Sequence, residues 1–263
     1  MIFDTHAHYD DQAFEEDRDS LLASLPQNGI GNVVNVCASV RSLQRIIPMT
    51  EKYPHVWGAA GVHPDYADEM TEDTLSEIRR ISHNEKILAI GEIGLDYYWH
   101  KEESEHLRQQ EMFRAQMDIA REEKLPFMIH SRNAADDTLR IVKEYVKDGM
   151  FGGILHCYSY GQEHAREYLG MGLMLGIGGV VTFKNGRKLK EVVQMAPLAQ
   201  LVLETDCPYL SPEPYRGKRN SSLNLHYVAA AIAELKGISE EEVIRVTEEN
   251  AFRLLGIPNA KAF

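Results

Sequence analysis

The sequence predicts an α/β protein of the (β/α)₈ TIM-barrel class. Three observations predict it. Eight short apolar runs alternate with amphipathic segments from one end of the chain to the other. The runs show little polar alternation, as strands of a parallel sheet covered on both faces do. The length, 263 residues, is close to the roughly 250 that such a barrel takes.

The elements follow in order. Residues 2–5 form the first strand and run into His6 and His8. Residues 32–37 and 56–62 form the second and third, and the third ends at His63-Pro64. Residues 87–93 form the fourth, with Glu92 between glycines near its end. Residues 104–123 repeat at helical spacing, with Leu107, Met112, Ala115, Met117, Ile119 and Ala120 favouring one side. The last four strands are residues 126–130, ending at His130; 152–156, ending at His156; 173–177; and 201–205, followed by Asp206. A helix pair at 222–235 and 239–254 closes the chain, the second opened by a capping-box pattern of Ser239 and Glu242. No GxGxxG or Walker-type loop follows the first strand, which argues against an open doubly wound sheet. No linker, repeat or low-complexity stretch divides residues 1–263, so one domain is expected.

Composition narrows the function. A hydrophobic content of 44% and a charged content of 26% describe a soluble globular protein. No apolar run approaches the roughly 18 residues of a membrane span, and the N-terminus lacks a signal core. Three cysteines without CxxC spacing indicate neither a disulfide framework nor a zinc ribbon, so a reducing cytoplasm is the expected compartment. A net charge of −12 excludes a protein that coats duplex nucleic acid through a broad basic surface. Local phosphate recognition stays open where metal ions supply positive charge. Nothing indicates an obligate protein partner.

In a parallel barrel the C-terminal strand ends meet at one face, where such barrels keep their chemistry. His6, His8, Glu92, His130, His156 and Asp206 all fall at those ends. His6 and His8, two apart on extended chain, point to one side. Glu92 can approach two ions and bridge them. Imidazoles and carboxylates gathered at one point are the donors that Zn²⁺, Mn²⁺ or Mg²⁺ takes. Asp4 is expected to orient an imidazole and Glu204 to support rather than ligate. His63 is expected to touch substrate, whereas His55, His83, His100, His106, His164 and His226 are expected to face solvent. No Ser or Cys stands beside a His in a nucleophile elbow, so a metal-bound hydroxide is the expected nucleophile, with Asp206 as its base.

The ordered set Asp4-Thr5-His6-Ala7-His8, Gly61-Val62-His63-Pro64, Gly91-Glu92-Ile93-Gly94-Leu95-Asp96, His130-Ser131-Arg132, His156-Cys157-Tyr158-Ser159 and Glu204-Thr205-Asp206-Cys207-Pro208-Tyr209-Leu210 resembles the TatD family of metal-dependent hydrolases, in the amidohydrolase superfamily. The likeness extends to Asn250-Ala251-Phe252-Arg253-Leu254-Leu255-Gly256. It implies a two-metal site and a magnesium-dependent deoxyribonuclease. His6, His8 and Asp206 would hold one ion, His130 and His156 the other, and Glu92 would bridge them. The chain departs from the family at Ser221-Ser222, where Glu-Pro is common, and at Tyr160 and Gln162.

Phosphodiester cleavage is the preferred reaction, with single-stranded or frayed 3′ ends of DNA as substrate; the 3′ polarity comes from the resemblance. Lys184, Arg187, Arg216, Lys218 and Arg219 follow strands seven and eight, where barrels often bind phosphate, and Arg132 follows strand five. Tyr97, Tyr98, Trp99, Tyr158 and Tyr209 offer faces for stacking bases. The alternatives are an amidohydrolase acting on a small molecule or an aminoacyl ester with the same two metals, and a barrel that keeps its metals for stability alone.

Overall fold

The apolar runs become strands because each is covered on two sides. In the computed structural model, which describes residues 1–147 and 152–257, every residue of β4 (Ile87–Asp96) is buried. The other strands are β1 (Ile2–Ala7), β2 (Ile30–Val36), β3 (Val56–Ala60), β5 (Phe127–Arg132), β6 (Gly153–Leu155), β7 (Met174–Ile177) and β8 (Leu201–Leu203). They pair in sequence order, each parallel to the next. Helices α1 (Arg18–Ser24), α2 (Val40–Lys52), α3 (Glu72–Ser82), α4 (Glu103–Glu123), α5 (Ala135–Lys147), α6 (Gln162–Gly170), α7 (Arg187–Met195), α8 (Leu225–Lys236) and α9 (Glu240–Leu255) complete the (β/α)₈ TIM barrel.

Two apolar layers hold it. The larger lies between sheet and helices; the smaller takes Phe3, Val34, Ala59, Leu88, Met128, Ile154, Met174 and Val202, at least one residue from each strand. These fill the barrel interior, as alternate residues of a closed sheet must. Ala251 and Leu255 of α9 join this cluster, and Phe252 meets Phe3 edge-on at 5.5 Å. The α9 helix therefore plugs the N-terminal mouth and leaves the C-terminal mouth for chemistry.

The ring closes between β1 and β8 at a seam of few bonds. The His8 amide donates to the Cys207 carbonyl at 2.8 Å, and the Asp206 amide donates to the His6 carbonyl at 2.9 Å. Asp4, wholly buried, accepts from the Thr205 amide (3.0 Å), the Thr205 hydroxyl (2.7 Å) and the Ser222 hydroxyl (2.6 Å). Burial pushes its carboxyl up to about 7, against the hydrogen bonds of Ser222 and Thr205. Asp4 thus ties strand to strand through backbone and hydroxyl groups and, contrary to the expectation, orients no imidazole ring.

Three further details differ from the sequence reading. The fourth strand runs past Ile93 to Asp96 and pairs with β5 as far as Arg132, so Glu92 lies within β4 rather than at its end. Gly94 permits this: its φ is +140°, and a Cβ there would lie 2.0 Å from the His130 carbonyl oxygen. On α4, Leu107 is exposed, while Gln109 and Gln116 are buried. Gln116 binds both the amide (2.8 Å) and carbonyl (3.0 Å) of Val62, and Gln109 does the same for Asp96. Their amides satisfy the backbone of Val62, just past β3, and of Asp96, the last residue of β4. Finally, residues 222–224 form a 3₁₀ turn ahead of α8, whereas Ser239 caps α9 as expected, accepting from the Glu242 amide at 3.1 Å.

Candidate metal centre

Six side chains, carried on β1, β4 and β5 and at the exits of β1, β6 and β8, converge at the open mouth. Glu92, buried within β4, is their centre. Its Oε2 lies 3.3 Å from His6 Nε2 and 3.4 Å from His8 Nε2. Its Oε1 lies 2.9 Å from His130 Nδ1, 3.1 Å from His156 Nε2 and 3.6 Å from His63 Nε2. Asp206 Oδ1 is 3.3 Å from His8 Nε2 and 4.0 Å from His6 Nε2. The His6 and His156 rings stack at 3.7 Å.

Neighbours fix which nitrogen faces inward. A carbonyl can only accept, so the contact of Val36 with His8 Nδ1 at 2.9 Å puts the proton on Nδ1 and frees Nε2 as a ligand. Asp96 stands 3.2 Å from His130 Nε2, which leaves Nδ1 facing the centre. Glu204, fully buried, places Oε1 3.4 Å from His156 Nδ1 and accepts from the Cys157 amide at 2.5 Å. It supports rather than joins the centre. Such outer carboxylates fix tautomer and raise ligand basicity. His63 is set the other way: its Nδ1 accepts from the Asp65 amide at 3.1 Å, so Nε2 carries the proton and points inward as a donor.

Charge balances across the cluster. Burial would raise the Glu92 carboxyl, but the imidazoles around it, His156 foremost, hold it well below the usual carboxylate range. Burial likewise disfavours protonated His8, yet Asp206 and Glu92 raise its pKa well above the ordinary value, so a metal ion would take Nε2 in place of a proton. For His63 burial, reinforced by His130, lowers the pKa to about 3, so the ring is neutral.

The donors fit divalent metal. His6, His8 and Glu92 offer ligand atoms within 4.8 Å of one another, as do His6, His156 and Asp206, and also His63, Glu92 and His130. A buried set of inward-facing imidazole nitrogens and carboxylate oxygens is what such an ion takes from a protein. His156 stands between the sets, and the inward proton argues against His63 as a ligand.

The centre floors a cleft of about 890 Å³. Of the residues expected to meet substrate, His63 and Arg132 line it; Lys184, Arg216 and Arg219 do not. Arg219 turns outward to Asp17, with contacts of 2.5 and 2.7 Å, and the Arg216 guanidinium lies 4.3 Å over the Phe183 ring. Arg41, Arg45 and Tyr66 line the cleft, and the sequence reading missed all three. Arg41 and Arg45 lie in the first turns of α2 and Tyr66 in the short turn after β3, and none follows a metal-donor residue that would have marked it. Trp99 and Tyr209 reach the cleft, but Tyr158 is buried and Tyr97 bonds Asp137 at 3.0 Å. Among the histidines expected in solvent, His83 and His226 are exposed. His55, His100, His106 and His164 are half-buried, each beside a hydrogen-bond partner.

A sequence model of TatD-related DNases matches residues 3–256. The chain belongs to the TatD family. The metal-dependent hydrolase YabD of Bacillus subtilis is 42% identical to this TatD protein over 98% of the chain and 100% of the relative. The metal-dependent hydrolase YcfH of Escherichia coli K12 is 34% identical, over 98% and 96%. The crystal structure of YjjV, a TatD homologue from Escherichia coli K12, superposes with a TM-score of 0.90 at 27% identity, covering 98% of both chains. The TatD protein described here is a metal-dependent hydrolase. No helix among the described residues is long and apolar enough to cross a membrane.

Proposed function

We propose that the protein is a cytoplasmic deoxyribonuclease, a 3′–5′ exonuclease that hydrolyses phosphodiester bonds at single-stranded or frayed 3′ ends with two divalent cations (Mg²⁺, Mn²⁺ or Zn²⁺). The division of Glu92 carries the reading. One oxygen faces His6 and His8 and the other faces His130 and His156, so the carboxylate would be shared by ions held on its two sides. Ions held there would supply Lewis acidity toward a phosphoryl oxygen and lower the pKa of water.

The chain's own residues do the rest. His6, His8 and Asp206 hold one side, and His130 and His156 the other. Asp206, part-buried at the cleft floor, takes the proton of the attacking water. The His63 Nε2–H donates a hydrogen bond to an oxygen of the substrate. Covalent catalysis is not called on: the one cysteine lining the cleft among the described residues, Cys157, has its thiol pushed far up by burial and is no thiolate.

The test is hydrolysis of end-labelled linear single strands, duplexes and a covalently closed single-stranded circle across the three metals. Linear single strands should shorten from the 3′ end, faster than duplex. A circle cut as fast as a linear strand would overturn the exonuclease reading. If no strand is cut with any metal, hydrolysis of a small-molecule or aminoacyl ester takes its place.

A further inference from the structure

We propose that Trp99 and Arg132 form a subsite for one unstacked nucleotide beside the scissile phosphate, with Arg132 on a phosphate and Trp99 under the base. The proposal rests on the nuclease reading and names how that site holds its substrate.

Arg132 lines the cleft two residues beyond His130, and no carboxylate among the described residues lies within ion-pair distance of its guanidinium. Arg114, Arg140, Arg187 and Arg219 are by contrast each paired to an acid. Aromatic faces hold it instead, with the guanidinium carbon 3.9 Å from the Tyr98 ring centre and 5.6 Å from that of Trp99. Stacking on a ring leaves the edge donors of a guanidinium free, and those match two phosphate oxygens at once. In a protein of net charge −12, an unpaired cation beside a metal centre marks where an anion is drawn in.

Trp99 is 64% exposed, the most exposed large hydrophobic side chain among the described residues, and it lines the same cleft. It packs edge-on to Tyr98 at 4.6 Å, which leaves ring face available. An indole face at the mouth of a cleft suits a nucleobase, and stacking on it tolerates any base. A base inside a duplex has its faces covered by its neighbours, so the shelf selects an unstacked nucleotide.

Asp96 ties this shelf to the reacting centre. Its Oδ1 accepts from the Tyr98 amide at 2.8 Å and from the Trp99 amide at 3.3 Å, while its Oδ2 holds His130 at 3.2 Å. One carboxylate therefore sets both a metal-facing imidazole and the loop that carries the stack. The subsite and the centre are built at a fixed offset.

Trp57 and Trp99 are the two tryptophans, so Trp57→Phe leaves Trp99 as the reporter. Its fluorescence would be titrated with phosphorothioate-linked hexathymidylate in magnesium, across salt concentrations, beside a cleavage assay of the natural-linkage oligomer. Quenching is expected. Trp99→Ala, followed by fluorescence anisotropy of a labelled oligomer, should weaken binding roughly 5- to 150-fold, and Trp99→Phe should keep most of it. Arg132→Ala should weaken binding and flatten the slope of log K against log salt by about 0.7 for each phosphate no longer neutralised. Unchanged affinity in both alanine variants, or cleavage by a protein whose Trp99 is never quenched, would overturn the subsite and leave the nuclease reading standing. Absence of both binding and cleavage would remove the two together.

Discussion

Two carboxylates of one short stretch have opposite tasks. Asp206 opens to the cleft, whereas Glu204 is wholly buried and reaches His156 from behind. Asp206→Asn keeps an oxygen for the metal but loses the proton acceptor, so turnover should fall by roughly 10²–10⁴ while metal content, measured by mass spectrometry, falls much less. Glu204→Gln should act the other way round: metal affinity, measured by competition with a chelator, should drop about 10–100-fold. The six central residues were legible in the sequence because each is an imidazole or carboxylate set in, or just past, an apolar run, and that contrast is a local feature. The direction of a side chain is not local. Arg219 looked as available as Arg132 until folding brought Asp17 beside one and Tyr98 beneath the other.

At the scale of elements, the strands were legible because burial on both faces writes continuous apolar runs, and β1 to β8 match them in number and order. Their ends were not, since an end depends on what the neighbouring strand and the covering helix offer. The stretch from Gly94 to Asp96 becomes strand because β5 runs beside it and Gln109 satisfies its last amide. Gly94→Ala should cost stability by roughly 2–3 kcal/mol or more, from both the strained φ and the collision with the His130 carbonyl. Gly172→Ala, also at positive φ (+81°) but facing open space, should cost about 1 kcal/mol. Urea denaturation of the two variants measures the difference. Equal losses would show that backbone contact at Gly94 does not hold β4 to β5.

For the whole molecule, a metal that binds the folded state stabilises it by mass action, by about 2.7 kcal/mol at a hundredfold excess over Kd. Here the ion would also separate imidazoles and carboxylates that otherwise press on one another in a buried space. Chelation should lower the melting temperature of the barrel by roughly 5–10 °C at that occupancy. Calorimetry with and without chelator measures it, and an unchanged melting temperature would argue that the metals are bound too weakly to matter for the fold. The overall architecture was legible from length and alternation, but the ring's closure was not: nothing in the run of letters marks Asp4, Thr205 and Ser222 as partners across about two hundred residues. That seam also decides when the centre exists at all. Asp206 lies about two hundred residues beyond His6 and His8, and the three meet only when the last strand is laid against the first. A chain short of that strand carries most of the donors yet has no assembled centre, so hydrolysis waits on closure of the ring.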